Sequence, residues 1–175
     1  VCRECAPLEL SEETKKSVLE SRQIVDDLIA EEKVVYGITT GFGKFSDVVI
    51  SQDQCKDLQK NLIITHAVGA GNPFTKDIAR GIMLLRINNL AKGFSGIRLE
   101  TLQTMVDMLN KGVTPIIPEK GSLGASGDLA PLSHMVLPMI GLGLVEYEGE
   151  VLPGAEAMAR AGIPTIELSA KEGLA

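Results

Sequence analysis

Apolar residues recur at helical spacing through most of the chain. Ser11, followed by Glu12 and Glu13, makes a helix start with an acidic first turn. Behind it Val18, Val25 and Leu28–Ile29 repeat at helical intervals up to Lys33. Residues 36–46, Y-G-I-T-T-G-F-G-K-F-S, interrupt the pattern with Gly37, Gly41 and Gly43 and read as a loop. A second helix is predicted over 52–67, with Leu58, Leu62 and Thr65–His66 on adjoining turns. Thr75 caps a third, whose stripe of Ile78, Ile82, Leu85 and Leu90 stops before Gly93. A fourth covers 99–111, with Leu102, Met105–Val106 and Leu109 inward and Gly112 at its end. The stretch V-T-P-I-I-P-E-K-G is extended, because each proline disfavours helix in the residue before it. A fifth helix runs from Asp128 to about Ile140. Residues 144–152 alternate as a β-hairpin around Glu148-Gly149, and a small helix over 154–161 closes at Gly162. The pattern predicts one mainly α domain over residues 1–175, with a short β-hairpin.

The 175 residues suffice for one core. Aromatics make up only 3% and Trp is absent, so aliphatic side chains fill the interior. The net charge of −6, with bases scattered, argues against a nucleic-acid or anionic-membrane partner. No apolar run has bilayer length and no secretory leader pattern opens the chain, so a soluble, cytoplasmic protein is expected. Cys2 and Cys5 form a C-x-x-C. A zinc site would need two more ligands from Cys55, His66 and His134, whose spacings are unrelated, so reduced thiols and no metal are expected. Val1 is not a Met and the chain stops after K-E-G-L-A; both ends read as cut.

The chemistry lies in Gly121-Ser122-Leu123-Gly124-Ala125-Ser126-Gly127-Asp128-Leu129-Ala130-Pro131-Leu132. Gly121, Gly124 and Gly127 allow a tight turn with positive φ. Asp128 suits an N-cap and could also assist closure of a ring in the triplet, and Pro131 suits the first helical turn, which sets Ala125-Ser126-Gly127 on a helix N-terminus. There the Gly127 nitrogen, pressed against the Ala125 carbonyl carbon, can close a five-membered ring, and a Cβ at position 127 is expected to obstruct that approach. Loss of water and of the Ser126 hydroxyl leaves a methylidene conjugated to an imidazolone, a carbon electrophile that needs no external cofactor. An isolated A-S-G would be only a turn that caps a helix. The extended string G-S-L-G-A-S-G-D-L-A-P-L-S-H is far more specific.

That string resembles the signature of the aromatic amino acid ammonia-lyase and aminomutase family, in which the triplet becomes 4-methylidene-imidazole-5-one (MIO). Three further segments resemble the family in the same order: Tyr36-Gly37-Ile38-Thr39-Thr40-Gly41-Phe42-Gly43; Gln59-Lys60-Asn61-Leu62 through Thr65-His66-Ala67-Val68-Gly69-Ala70-Gly71; and Arg86-Ile87-Asn88-Asn89-Leu90 through Gly93-Phe94-Ser95-Gly96-Ile97-Arg98. The resemblance runs from about Leu10 onward. It implies the ammonia-lyase fold, Ala125, Ser126 and Gly127 as the source of MIO, and Tyr36 as the base for the substrate β-proton. A phenol needs a pKa below its usual value of about 10 for that task.

The pair Thr65-His66 resembles members acting on histidine, where phenylalanine and tyrosine enzymes carry Phe-Leu or His-Leu. It implies that His66 holds the substrate imidazole and that the reaction takes L-histidine to trans-urocanate and ammonia. His134, Arg86, Asn88 and Arg98 read as scaffold. The resemblance further implies a homotetramer with sites shared between subunits, and additional Asn, Gln, Arg, Glu and Tyr site residues beyond Ala175. On that reading the piece alone is inactive. Two rival readings stand beside it: a tyrosine or phenylalanine lyase or aminomutase, and a non-catalytic helical association domain with an uncyclised triplet.

Overall fold

The computed structural model describes residues 1–40 and 52–175. The later part of the glycine loop, Gly41-Phe42-Gly43-Lys44-Phe45-Ser46, lies outside them. Helix α1 spans Glu12–Ala30. It starts as the sequence implies: Ser11, at ψ 158°, accepts the Thr14 N–H at 3.1 Å. Val18, Arg22 and Val25 form its buried face.

Helix α2 (Gln52–His66) leads to a short strand β1 (Ala70–Pro73), then to helices α3 (Lys76–Leu90) and α4 (Leu99–Lys111). α4 is the centre of the core. Leu102 and Leu109 are fully buried, Met105 and Val106 nearly so, and Gly112 ends the helix at φ 78°. Thr75 stands at the N-cap of α3 but does not cap it with its side chain, because its hydroxyl is turned to the Asp77 carboxylate at 2.6 Å. α3 packs on α4, but not with the stripe expected. Ile78 and Leu85 are exposed, and the inward residues are Ala79, Arg80, Met83, Ile87 and Leu90. The reason is Arg80. Its guanidinium is buried and donates to the carbonyls of Val1, Cys2 and Leu109 at 2.9, 3.1 and 2.9 Å. A cation on the inward face turns the helix relative to its purely apolar stripe, and Leu109 O, in the last turn of α4, favours positive charge.

The proline stretch divides. β2 (Thr114–Pro115) joins the hairpin of β4 (Leu144–Tyr147) and β5 (Glu150–Pro153) in the order β2-β4-β5, all antiparallel. β3 (Pro118–Lys120) pairs instead with β1. The hairpin turns on Glu148 and Gly149 at φ 52° and 84°, the two positive values of a type I′ turn. Helix α5 covers Leu129–Val136 and gives way to a 3-10 turn, Leu137–Ile140, rather than running on as one helix. Pro138 has no N–H to give to the carbonyl four residues back, so the α ladder stops there. α6 (Gly154–Arg160) follows, and residues 163–175 fold back over α2 and α4. No helix among the described residues is long and apolar enough to cross a membrane.

Candidate active site

The triplet sits in an exposed turn whose glycines all take positive φ: Gly121 at 127°, Gly124 at 107° and Gly127 at 73°. The expected obstruction by a Cβ at Gly127 is not found: a Cβ there would meet nothing within 4 Å, so the demand for glycine is conformational rather than spatial. Asp128 occupies the N-cap position of α5 but does not cap it. Its φ and ψ are −128° and 0°, and its carboxylate receives no backbone N–H of the helix. A side-chain cap needs the extended backbone that Ser11 has and Asp128 lacks. The first-turn N–H groups of α5 therefore lack that carboxylate.

Below this turn lies a cavity of about 450 Å³, within the range of small-ligand sites. Tyr36 stands at one side of it, His66 at the end of α2, and Ser126 above. Leu90, Met105, Met135 and Met139 give it apolar walls. The structure thus brings Tyr36, His66 and Ser126 to one space. Ala125 does not line it, and Gly127 faces a second hollow of about 270 Å³ with Phe74, Ile82 and Pro118.

His66 is oriented from its own helix. Its Nδ1 lies 2.7 Å from the Leu62 carbonyl, an acceptor, so Nδ1 carries the proton and the neutral ring keeps its lone pair on Nε2. The Thr65 hydroxyl donates to the same carbonyl at 3.1 Å and does not line the cavity. Half of the pair singled out in the sequence therefore faces the site and the other half supports it.

Three charged residues of the cavity lie outside the site residues expected from the sequence. Arg86, read as scaffold, is half-buried on the wall; burial pulls its pKa down, and Asp128 opposes that shift. Asp128 itself lines the cavity. Glu172 is the third. Its buried carboxylate accepts from Ser169 N–H, Arg98 N–H, Arg98 Nε and Nη2, and the Thr101 hydroxyl, at 2.7 to 3.1 Å. The next residue, Gly173, donates its N–H to Gln59 Oε1 of α2 at 2.6 Å. No local signal in the sequence marks Glu172, since its side-chain partners Arg98 and Thr101 lie about seventy residues away. Asn88, grouped with Arg86 and Arg98 in the sequence, is exposed. Among the described residues, no cluster of three or more His, Cys, Asp or Glu could hold a metal ion.

The model of the family described as "Aromatic amino acid lyase" matches residues 1–175. A histidine ammonia-lyase of Clostridium tetani is 65% identical over all of this chain, which covers 34% of that protein. Among solved structures, a phenylalanine aminomutase of Pantoea agglomerans superposes with a TM-score of 0.93 at 38% identity, over 99% of this chain and 33% of that one. A histidine ammonia-lyase of Trypanosoma cruzi gives 0.90 at 39% identity, over 98% of this chain and 33% of that one. The chain spans about a third of the length of the curated relatives it matches. With a family match over every residue and these likenesses of sequence and fold, the chain belongs to the aromatic amino acid lyase family.

Proposed function

We propose that residues 1–175 form the MIO-bearing portion of a longer subunit, and that the whole enzyme is a histidine ammonia-lyase converting L-histidine to trans-urocanate and ammonia. The observation that carries this reading is the cavity joining Ser126 to Tyr36 and to an His66 whose ring is held by Leu62 O. The high identity to proteins named histidine ammonia-lyase supports the choice of substrate.

The surroundings of the triplet fit MIO. Gly127 has the left-handed backbone that glycine accepts readily, and open space around it leaves room for a ring. When formed, that group supplies the electrophilic carbon that makes the substrate's amine a leaving group. The chain's own side chains do the rest. Nε2 of His66 accepts the N–H of the substrate imidazole, which fixes the ring in the cavity. Tyr36 is the base that takes the β-proton. Leu90, Met105 and Met139 offer the substrate ring an apolar wall to pack against. By the same resemblance the enzyme is a cytoplasmic homotetramer, with the remaining site residues supplied by the rest of the subunit and by its neighbours.

In the full-length enzyme, His66→Leu should cut kcat/KM for L-histidine by more than about tenfold, roughly 1.4 kcal/mol of transition-state stabilisation. The substrate ring would then turn a polar N–H toward an apolar wall. Urocanate absorbance reads the loss. Unchanged histidine turnover, or a wild-type preference for tyrosine or phenylalanine, would refute the histidine assignment and leave the family intact.

A further inference from the structure

His134 stands on α5 two turns beyond the triplet, and its ring reaches back to the segment that carries His66. Gly69 N–H donates to His134 Nε2 at 2.9 Å. Nε2 is therefore unprotonated, and the neutral ring carries its proton on Nδ1. Gly69 is closely enclosed. A Cβ there would lie 3.0 Å from both His134 Nε2 and Pro118 Cβ, and a Cβ on Gly121 would lie 3.0 Å from Gly69 Cα. One backbone position thus touches α5, β3 and the first residue of the triplet string. The chain back to His66 is a tight turn, with Ala67 N–H on Ile63 O at 3.1 Å and Val68 N–H on His66 O at 2.9 Å. A shift of Gly69 would carry His66 with it.

We propose that His134 is a positioning residue: its neutral ring, by accepting the Gly69 N–H, keeps the His66 turn seated against the helix that bears the triplet, and protonation of that ring releases the seat. The proposal rests on the function assigned above, because it names the reaction whose pH response is affected.

An imidazolium has no lone pair on Nε2, so the bond to Gly69 N–H cannot survive protonation. Among the described side chains, the charged and titratable groups on the elements around the ring are Asp128 at the start of α5, Cys55, Lys56, Asp57, Lys60 and His66 on α2, Lys76, Asp77, Arg80 and Arg86 on α3, and Glu119 and Lys120 on β3. None of them forms a hydrogen bond or ion pair with His134. No carboxylate pairs with an imidazolium here, and burial holds the His134 pKa below its ordinary 6.5. The unfolded chain binds more protons than the folded one between the two values. Folded stability and the seat are therefore both complete above pH 6.5 and are lost as the pH falls through the lower, folded-state value.

The test uses the full-length enzyme. His134→Gln places a non-titrating amide oxygen near Nε2, and His134→Leu removes the acceptor. The Gln variant should keep most of its neutral kcat/KM and fall less steeply with acid than the wild type. The Leu variant should lose about tenfold at neutral pH. Hydrogen exchange at the Gly69 amide of the wild type, resolved to that residue and corrected for intrinsic rate, should show protection at neutral pH that disappears at acid pH. An acid limb unchanged in an active Gln variant, or a Leu variant with wild-type kcat/KM, would overturn the proposal. So would exchange protection that persists at acid pH, a readout that needs neither variants nor turnover. A wild type that eliminates ammonia from none of the three aromatic amino acids would refute the functional reading, and the exchange measurement would still judge His134.

Discussion

Ser126→Ala in the full-length enzyme is expected to lower ammonia elimination by at least about a thousandfold, roughly 4 kcal/mol of barrier. Alanine has no hydroxyl to leave, so no methylidene carbon can form at position 126. The fold should hardly notice. Ser126 is exposed and donates to nothing among the described residues, and substitutions at such positions change stability within about 0.5 kcal/mol. A normal melting transition together with lost turnover is the expected pair of results. A folded Ser126→Ala enzyme with near-wild-type turnover would remove the chemical basis of the assignment.

Glu172→Ala should act in the opposite way, through stability. The Glu172 side chain is fully buried, and that of Arg98 is 27% exposed. Their contact joins the start of α4 to the closing segment of the chain. Removing one member of a buried ion pair leaves the other charge without its partner, at a cost of about 3–5 kcal/mol. Arg98 would keep only its contacts to Glu100 and the Glu167 carbonyl. Gly173, adjacent to the lost anchor, would then hold less firmly to Gln59 on the helix that carries His66. Urea unfolding of the full-length subunit should show a lowered midpoint, with Glu172→Gln less affected because it still accepts from Thr101 and Ser169. A midpoint unchanged in the Ala variant would show that the pair contributes nothing net.

The sequence showed some of this plainly and some not at all. α4 was legible because its apolar positions, its end and its burial agree, with Gly112 stopping the helix where the stripe stops. The hairpin was legible because Glu148-Gly149 suits a turn with two positive φ values. α3 was misread in its facing because a buried arginine looks like a surface residue until its carbonyl partners are known. The break in α5 was written in Pro138, but a proline near a helix end also fits a helix that simply stops. β1 gave no signal, since Ala70-Gly71-Asn72-Pro73 has turn composition and all four residues are exposed.

For the site, the glycine-rich triplet stood out by composition. Tyr36 and His66 were placed by resemblance, because neither residue's spacing distinguishes it from an ordinary turn tyrosine or helix histidine. Arg86, Asp128 and Glu172 could not be placed at a cavity from one sequence. Their roles come from contacts between residues far apart along the chain, such as Arg98 with Glu172.

The central claim is that Ala125, Ser126 and Gly127 become a cyclic electrophile, and the mass of that segment tests it most directly. Digestion of the active full-length enzyme should yield a peptide spanning residues 125–127 that is lighter than its sequence by two waters. The same peptide from Ser126→Ala should lack the deficit that requires loss of the serine hydroxyl. A peptide of unmodified mass from fully active wild-type enzyme would contradict the account.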